Sequence, residues 1–232
     1  ALISSAAGHP LSGVFVYAVA LCMLAVRGGP IDGWLFRALD IDRLSTAYGG
    51  LVVEVLIWQV GLIAVVLAVA RLREQVRSRL PEILKAEHGV ESRFRLPDVA
   101  GLLPTVVCAV ISGVLAYFLI RSTRSGQVIG ALVLAFAVGA LTTQLIFQQR
   151  DYLGLLLSPA IVAIVAYVWI LSAQTDTDEL IRTWYSLNLT PKLPGGLAFA
   201  LPIHYASAAL AGCCVGIGMA FSFETEKVDA SD

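Results

Sequence analysis

The chain has 232 residues, of which 58% are hydrophobic and only 14% charged, with a formal net charge of −1. Soluble domains carry about a quarter charged residues, so this composition points to a membrane protein. The near-zero charge argues against a nucleic-acid partner, which would need a concentrated basic face. Cys22, Cys108, Cys213 and Cys214 all fall inside apolar runs, where thiols behave as small hydrophobes rather than as a disulfide framework.

Residues 1–10 lack a basic n-region and a small-residue cleavage site, so no removable signal peptide is expected. A bilayer core of about 30 Å takes roughly 20 apolar residues as a helix. Residues 51–70, 99–120, 128–147, 153–173 and 197–223 meet that length, and residues 11–26 form a shorter run free of charge. The runs are continuously apolar rather than alternating, which argues against a β-barrel. The expected fold is all-α: a polytopic integral membrane helix bundle of six transmembrane helices, one domain over residues 1–232.

Two connections are long. Residues 27–50 hold Asp32, Arg37, Asp40, Asp42 and Arg43 behind a Gly28-Gly29-Pro30 turn. Residues 71–98 are strongly charged, with Leu72, Val76, Leu80, Ile83 and Leu84 at helical spacing, which predicts an amphipathic continuation of the second span interrupted near Pro81. Basic loops stay cytoplasmic. Placing residues 71–98 inside puts both termini in the cytoplasm, with nine basic residues inside against seven outside. The Ala/Val/Leu/Arg-rich usage points to a bacterial cytoplasmic membrane, where the Asn188-Leu189-Thr190 sequon has no use. Outside, Asp176, Asp178 and Glu179 open a short predicted helix that leads to Trp184 and Tyr185 at the interface. Gly49-Gly50-Leu51 and Gly195-Gly196-Leu197 open the second and sixth runs alike, a weak hint of an internal repeat.

The sixth run carries small residues at every fourth position: Ala208, Gly212, Gly216 and Ala220. One more step of four back is His204. Residues four apart share a helix face, so this stripe predicts a groove for close backbone approach with an ionisable group at its end. The fourth run has a matching stripe of Gln127, Ala131, Ala135, Gly139 and Thr143. The two stripes are expected to face each other, with Thr142, Thr143 and Gln144 bonding across helices. Pro104 and Pro159 each free a carbonyl that neighbouring hydroxyls can satisfy.

Ionisable residues inside spans are costly and face protein or a cavity. Glu54 and His204 both lie near the outer ends of their runs and are the candidate proton- or ion-binding pair; the bland alternative is an interfacial Glu54 and a structural hydrogen bond at His204. His9 opens the first run from the inner side, so no bis-histidine haem is expected. Adjacent Cys213 and Cys214 diverge by about 100° on a helix and make a poor metal site. There is no Gly-x-Ser-x-Gly elbow, P-loop or His-Glu-x-x-His helix, and Ser112-Gly113 alone does not make a serine protease. No catalytic residue, metal or cofactor is assigned.

Two functions remain. The first is a non-enzymatic multi-pass subunit or scaffold, with the lipid bilayer, other membrane subunits or a second copy of itself as partners, packing helices through its small-residue faces. The second is a small transporter or channel for protons, ions or a small solute, built on Glu54 and His204.

Overall fold

The computed structural model describes residues 10–27, 44–79, 99–148, 152–173 and 195–229. Among them the regular structure is entirely helical: α1 (Pro10–Arg27), α2 (Leu44–Arg79), α3 (Val99–Leu119), α4 (Ser125–Phe147), α5 (Leu153–Ser172) and a sixth, interrupted element. The last begins with a 3₁₀ turn, Gly195–Phe199. It restarts at Pro202–His204, widens into a π-helical stretch at Tyr205–Ala209 and runs on as Leu210–Asp229. Residues from Pro202 onward are called α6 below. Five of the helices are long and apolar enough to cross a membrane, and α1 is a shorter apolar helix. The chain is a polytopic helical membrane bundle.

The expected runs become helices with nearly the expected bounds, except that the sixth is interrupted. The second helix continues past residue 70 to Arg79, as the helical spacing of the charged segment led one to expect. Residues 80–98, with Pro81 and His88, lie outside the described residues. So do His9, residues 28–43 and the expected short helix that starts at Asp176.

Side-chain contacts give the directions of the helices. Ser112 of α3 lies against Gly139 of α4, and Gln127 Nε2 near the start of α4 donates to the Leu119 carbonyl at the end of α3, 2.6 Å away. These two helices are an antiparallel hairpin. Tyr48 near the start of α2 packs on Tyr167 near the end of α5, with ring centroids 5.8 Å apart, and Trp58 and Gln59 line a cleft with Leu156 and Pro159, so α2 and α5 are antiparallel as well. At the other end Tyr152, just before α5, meets Phe221 late in α6 edge-on at 5.3 Å. Thus α2, α4 and α6 run one way, and α3 and α5 the other. Large apolar side chains such as Leu56, Ile57, Val60, Val110 and Leu134 point outward. That is inverted for a soluble protein and normal against lipid, where an apolar exterior costs nothing.

The tightest packing is between α6 and α4. A Cβ at Gly212 would strike the Val133 carbonyl and lie 3.1 Å from Phe136 Cβ. At Gly216 it would strike the Ala137 carbonyl and lie 2.9 Å from the Leu141 amide nitrogen. Backbone touches backbone here, and only glycine fits. The two stripes do not face each other, however. Gly212 and Gly216 sit on the Val133–Ala137–Leu141 row of α4, while Gly139, on the Ala131–Ala135–Gly139 row, meets Ser112 of α3. Helix α4 lies between two neighbours and uses a different row for each. Thr143 Oγ1 donates to the Gly139 carbonyl of its own helix at 2.8 Å.

Pro159 lacks the amide hydrogen that would have bonded the Leu155 carbonyl four residues back. Ser158 Oγ donates to that carbonyl at 2.7 Å, and Cys213 Sγ of α6 approaches it at 3.6 Å. Cys108 Sγ of α3 closes the group at 3.4 Å from Ser158 Oγ. Of the buried thiols, Cys213 thus helps to cover the carbonyl that Pro159 frees, and Cys108 packs on the Ser158 hydroxyl that covers it.

Gly212→Leu and Gly216→Leu are each expected to destabilise the protein by about 1–3 kcal/mol or more, the usual range for forced overpacking. Gly218→Ala, where no atom lies within 4 Å of the added carbon, should be neutral. Thermal unfolding midpoints in detergent read the contrast; equal midpoints for all three would sink the packing account.

Candidate functional site

The interruption before α6 is the feature that needs chemical explanation. Residues Gly196 to Ala200 are buried, yet they lie outside any α-helical ladder. In an apolar medium each of their polar groups must find a partner within the protein. A cost of about 1–3 kcal/mol attends each one that fails.

The 3₁₀ turn starts at Gly195 with φ +52°, a left-handed conformation that glycine takes without strain. A Cβ at Gly196 would lie 2.6 Å from Ile120 Cβ, so the turn is pressed onto the end of α3. The similar-looking Gly49-Gly50 pair has no such role. It lies within α2, with nothing within 4 Å of either position. The two triplets do not mark a repeat: one breaks a helix against a neighbour, and the other continues a helix in the open.

Three tyrosines satisfy the carbonyls that the break exposes. Tyr205 donates its hydroxyl to Leu197 at 2.9 Å, Tyr48 to Ala198 at 3.4 Å, and Tyr167 to Ala200 at 2.5 Å. They come from α6, α2 and α5. Their rings pack together: Tyr167 meets Tyr48 with planes tilted at 55° and sits edge-on to Tyr205, 6.3 Å away with planes at 87°. All three are essentially fully buried. A phenol suits this task because its ring fills apolar space while one O–H reaches a carbonyl.

His204 completes the restart of the helix. The Leu201 carbonyl accepts the His204 amide at 2.9 Å, and the Leu201 amide donates to His204 Nδ1 at 3.1 Å. The imidazole thereby plays the part of the third-position side chain in a capping box, satisfying the amide of the residue before the helix. His204 is only 2% exposed, and its Nε2 has no hydrogen-bond partner. Immediately after it the chain enters the π-helical stretch, where Ser207 Oγ donates to the Ile203 carbonyl at 2.5 Å. Such wide turns carry an extra residue and are frequent at functional sites. The extra residue also breaks the every-fourth-residue register between His204 and Ala208. His204 belongs to the segment that packs on α1 and α2, not to the Gly212–Gly216 face on α4.

Glu54 does not pair with His204. Its Oε1 accepts from Trp58 Nε1, one turn further along α2, at 3.1 Å. Among the described residues no ion pair or hydrogen bond joins Glu54 to the imidazole. Below the tyrosines, Tyr17, Trp58, Gln59, Leu156, Pro159 and Tyr205 help to line a cleft that leaves no room for a water molecule. Gln59 Oε1 is buried there without a partner. Sequence reasoning sets Gln59 aside, since it lies about 140° around the helix from Glu54 and the two do not line one face. It missed the tyrosines, which are far apart in sequence. Ala208 and Ala220 are fully buried, as is Ala135, and Ala131 nearly so. Among the described residues no group of three His, Cys, Asp or Glu side chains converges.

Comparison with protein-family models, with curated proteins and with solved structures finds no match to this chain. The functional reading therefore rests on the geometry alone.

Tyr205→Phe and Tyr167→Phe each remove one hydroxyl and leave a buried carbonyl unpaired, an expected loss of about 1–3 kcal/mol of stability. Tyr48→Phe, at the longest of the three distances, should cost less. Unfolding in detergent followed by near-ultraviolet circular dichroism measures all three, and three neutral substitutions would remove the tyrosine clamp from the account.

Proposed function

We propose that this protein is a small multi-pass transporter whose working element is the interrupted sixth helix. One observation carries the reading: a fully buried stretch of irregular backbone, clamped by three tyrosines, sits beside a histidine nitrogen that has no partner. A continuous helix would cross the bilayer at lower cost, because its ladder would need no side-chain repair. Broken helices in transporters place polar groups at the substrate and let one half of the helix move against the other. The cleft beneath the tyrosines is closed, so admission of a solute requires that segment to shift. The π-helical stretch supplies a place where the helix can change register.

The orientation we propose follows the basic continuation of α2. Arg71, Arg73, Arg77 and Arg79 lie at the end opposite the tyrosines, and basic segments remain cytoplasmic. The tyrosine clamp then faces outward, in a bacterial cytoplasmic membrane.

The subunit or scaffold role is the second reading, and one observation favours it. Only 22% of the apolar window of α2 is buried, against 67% for α5 and α6, so a long apolar face is available to a partner helix or to lipid. It does not draw support from the small-residue stripes, because Gly212, Gly216 and Gly139 are already occupied within the chain.

Reconstituted liposomes separate the two. The transport reading expects uptake of a small solute above protein-free vesicles. It expects about a tenfold loss with His204→Phe, the equivalent of one hydrogen bond worth about 1.4 kcal/mol. Glu54→Gln, which keeps an acceptor for Trp58, should stay within about twofold on the same scale. Equal loss in both variants would restore the Glu54–His204 pair. No uptake, with co-purification in a larger complex, would replace transport by the subunit role.

A further inference from the structure

The hydrogen bond to His204 Nδ1 determines what its other nitrogen can do. A backbone amide only donates, so the Leu201 N–H at 3.1 Å requires a lone pair on Nδ1. In a neutral imidazole the proton then resides on Nε2. The buried atom without a partner is therefore a donor. A metal cation needs a ring lone pair, and the only one is committed to the helix start. Releasing it would leave the Leu201 amide unpaired inside an apolar medium, where such groups are costly. The hydroxyls of Tyr48, Tyr167 and Tyr205 donate to backbone carbonyls, which leaves His204 Nε2, among the described residues, as the buried side-chain donor without an acceptor.

We infer that the ligand at the interrupted helix is a small acceptor-bearing molecule, a carboxylate or carbonyl compound, bound by the Nε2–H of His204, and that the ring does not take a cation. This deepens the transport reading and rests on it for its biological sense, but its chemistry is testable by binding alone. A carboxylate and a neutral carbonyl offer the same oxygen acceptor, and they differ in charge. Gln59 Oε1 is a separate buried acceptor without a partner, in a cleft whose lining includes Tyr205 and Ala206, next in sequence to His204. Acetamide has both an acceptor oxygen and an N–H group, and acetate has the acceptor only.

The test is nitrogen-15 NMR of the full chain in detergent micelles with labelled histidine. There are three histidines, so His204→Asn assigns the signal by its loss. If that variant does not fold, the double variant His9→Gln with His88→Gln leaves His204 as the sole signal. The expected result is the Nε2–H tautomer at neutral pH and a saturable shift of Nε2 on titration with acetate or acetamide. Acetate alone identifies a carboxylate ligand, and a stronger response to acetamide identifies a neutral carbonyl. An Nδ1–H tautomer, a shift of the His204 signal on adding zinc chloride, or silence toward both acetate and acetamide would overturn the inference. A chain that binds acetate or acetamide at His204 but moves no solute in liposomes sinks the transport reading and leaves this one standing. Solute flux with a silent His204 does the reverse.

Discussion

Every backbone amide and carbonyl inside an apolar medium must find its partner within the protein, and the architecture at the start of α6 is a response to that constraint. Where the chain departs from the α-helical ladder, side chains take over the bonding. Leu197, Ala198 and Ala200 are held by three phenols, and the Leu201 amide by an imidazole. The rings arrive from α2, α5 and α6, so the departure is possible only because those helices are already assembled around it. The break and the bundle depend on each other.

The same logic operates on a smaller scale at Pro159. There the missing amide exposes one carbonyl, and Ser158 with Cys213 covers it. One proline is answered by one hydroxyl and a neighbouring thiol. The difference at the sixth element is that the repair stops one atom short. Among the described side chains of the sixth element, His204 Nε2 is the buried polar atom without a partner. Gln59 and Gln127 also leave an amide oxygen without a partner, but His204 Nε2 is a donor, and its place beside an interrupted helix gives the site its functional interest.

Packing separates the rigid part of the molecule from this site. Gly212 and Gly216 bring α6 against the backbone of α4, and Gly139 brings α4 against Ser112 of α3. These close contacts form a firm block on one side. The segment from Pro202 to Ala209 packs on α1 and α2 as well as on α4, at the opposite end of α6 from Phe221. The division places the tightly packed glycines and the irregular backbone on different parts of the same helix.

Composition and run length were enough to determine a multi-pass helical bundle, because burying backbone in lipid leaves a helix as the only way to satisfy a single long apolar run. The glycines at 212 and 216 were legible as a close-approach face for the same local reason: a missing Cβ is written in the residue type. Which row of α4 they would meet was not legible, since Val133, Ala137 and Leu141 carry no small-residue pattern. Nor was the break in the run 197–223, where apolar residues conceal whether the ladder continues. The partners that make the break affordable, Tyr48 and Tyr167, lie 150 and 33 residues from the carbonyls they hold. Proximity of that kind arises only when helices assemble. For the same reason the expected pairing of Glu54 with His204 was decided in space: an indole one turn away took the carboxylate, and a backbone amide took the imidazole.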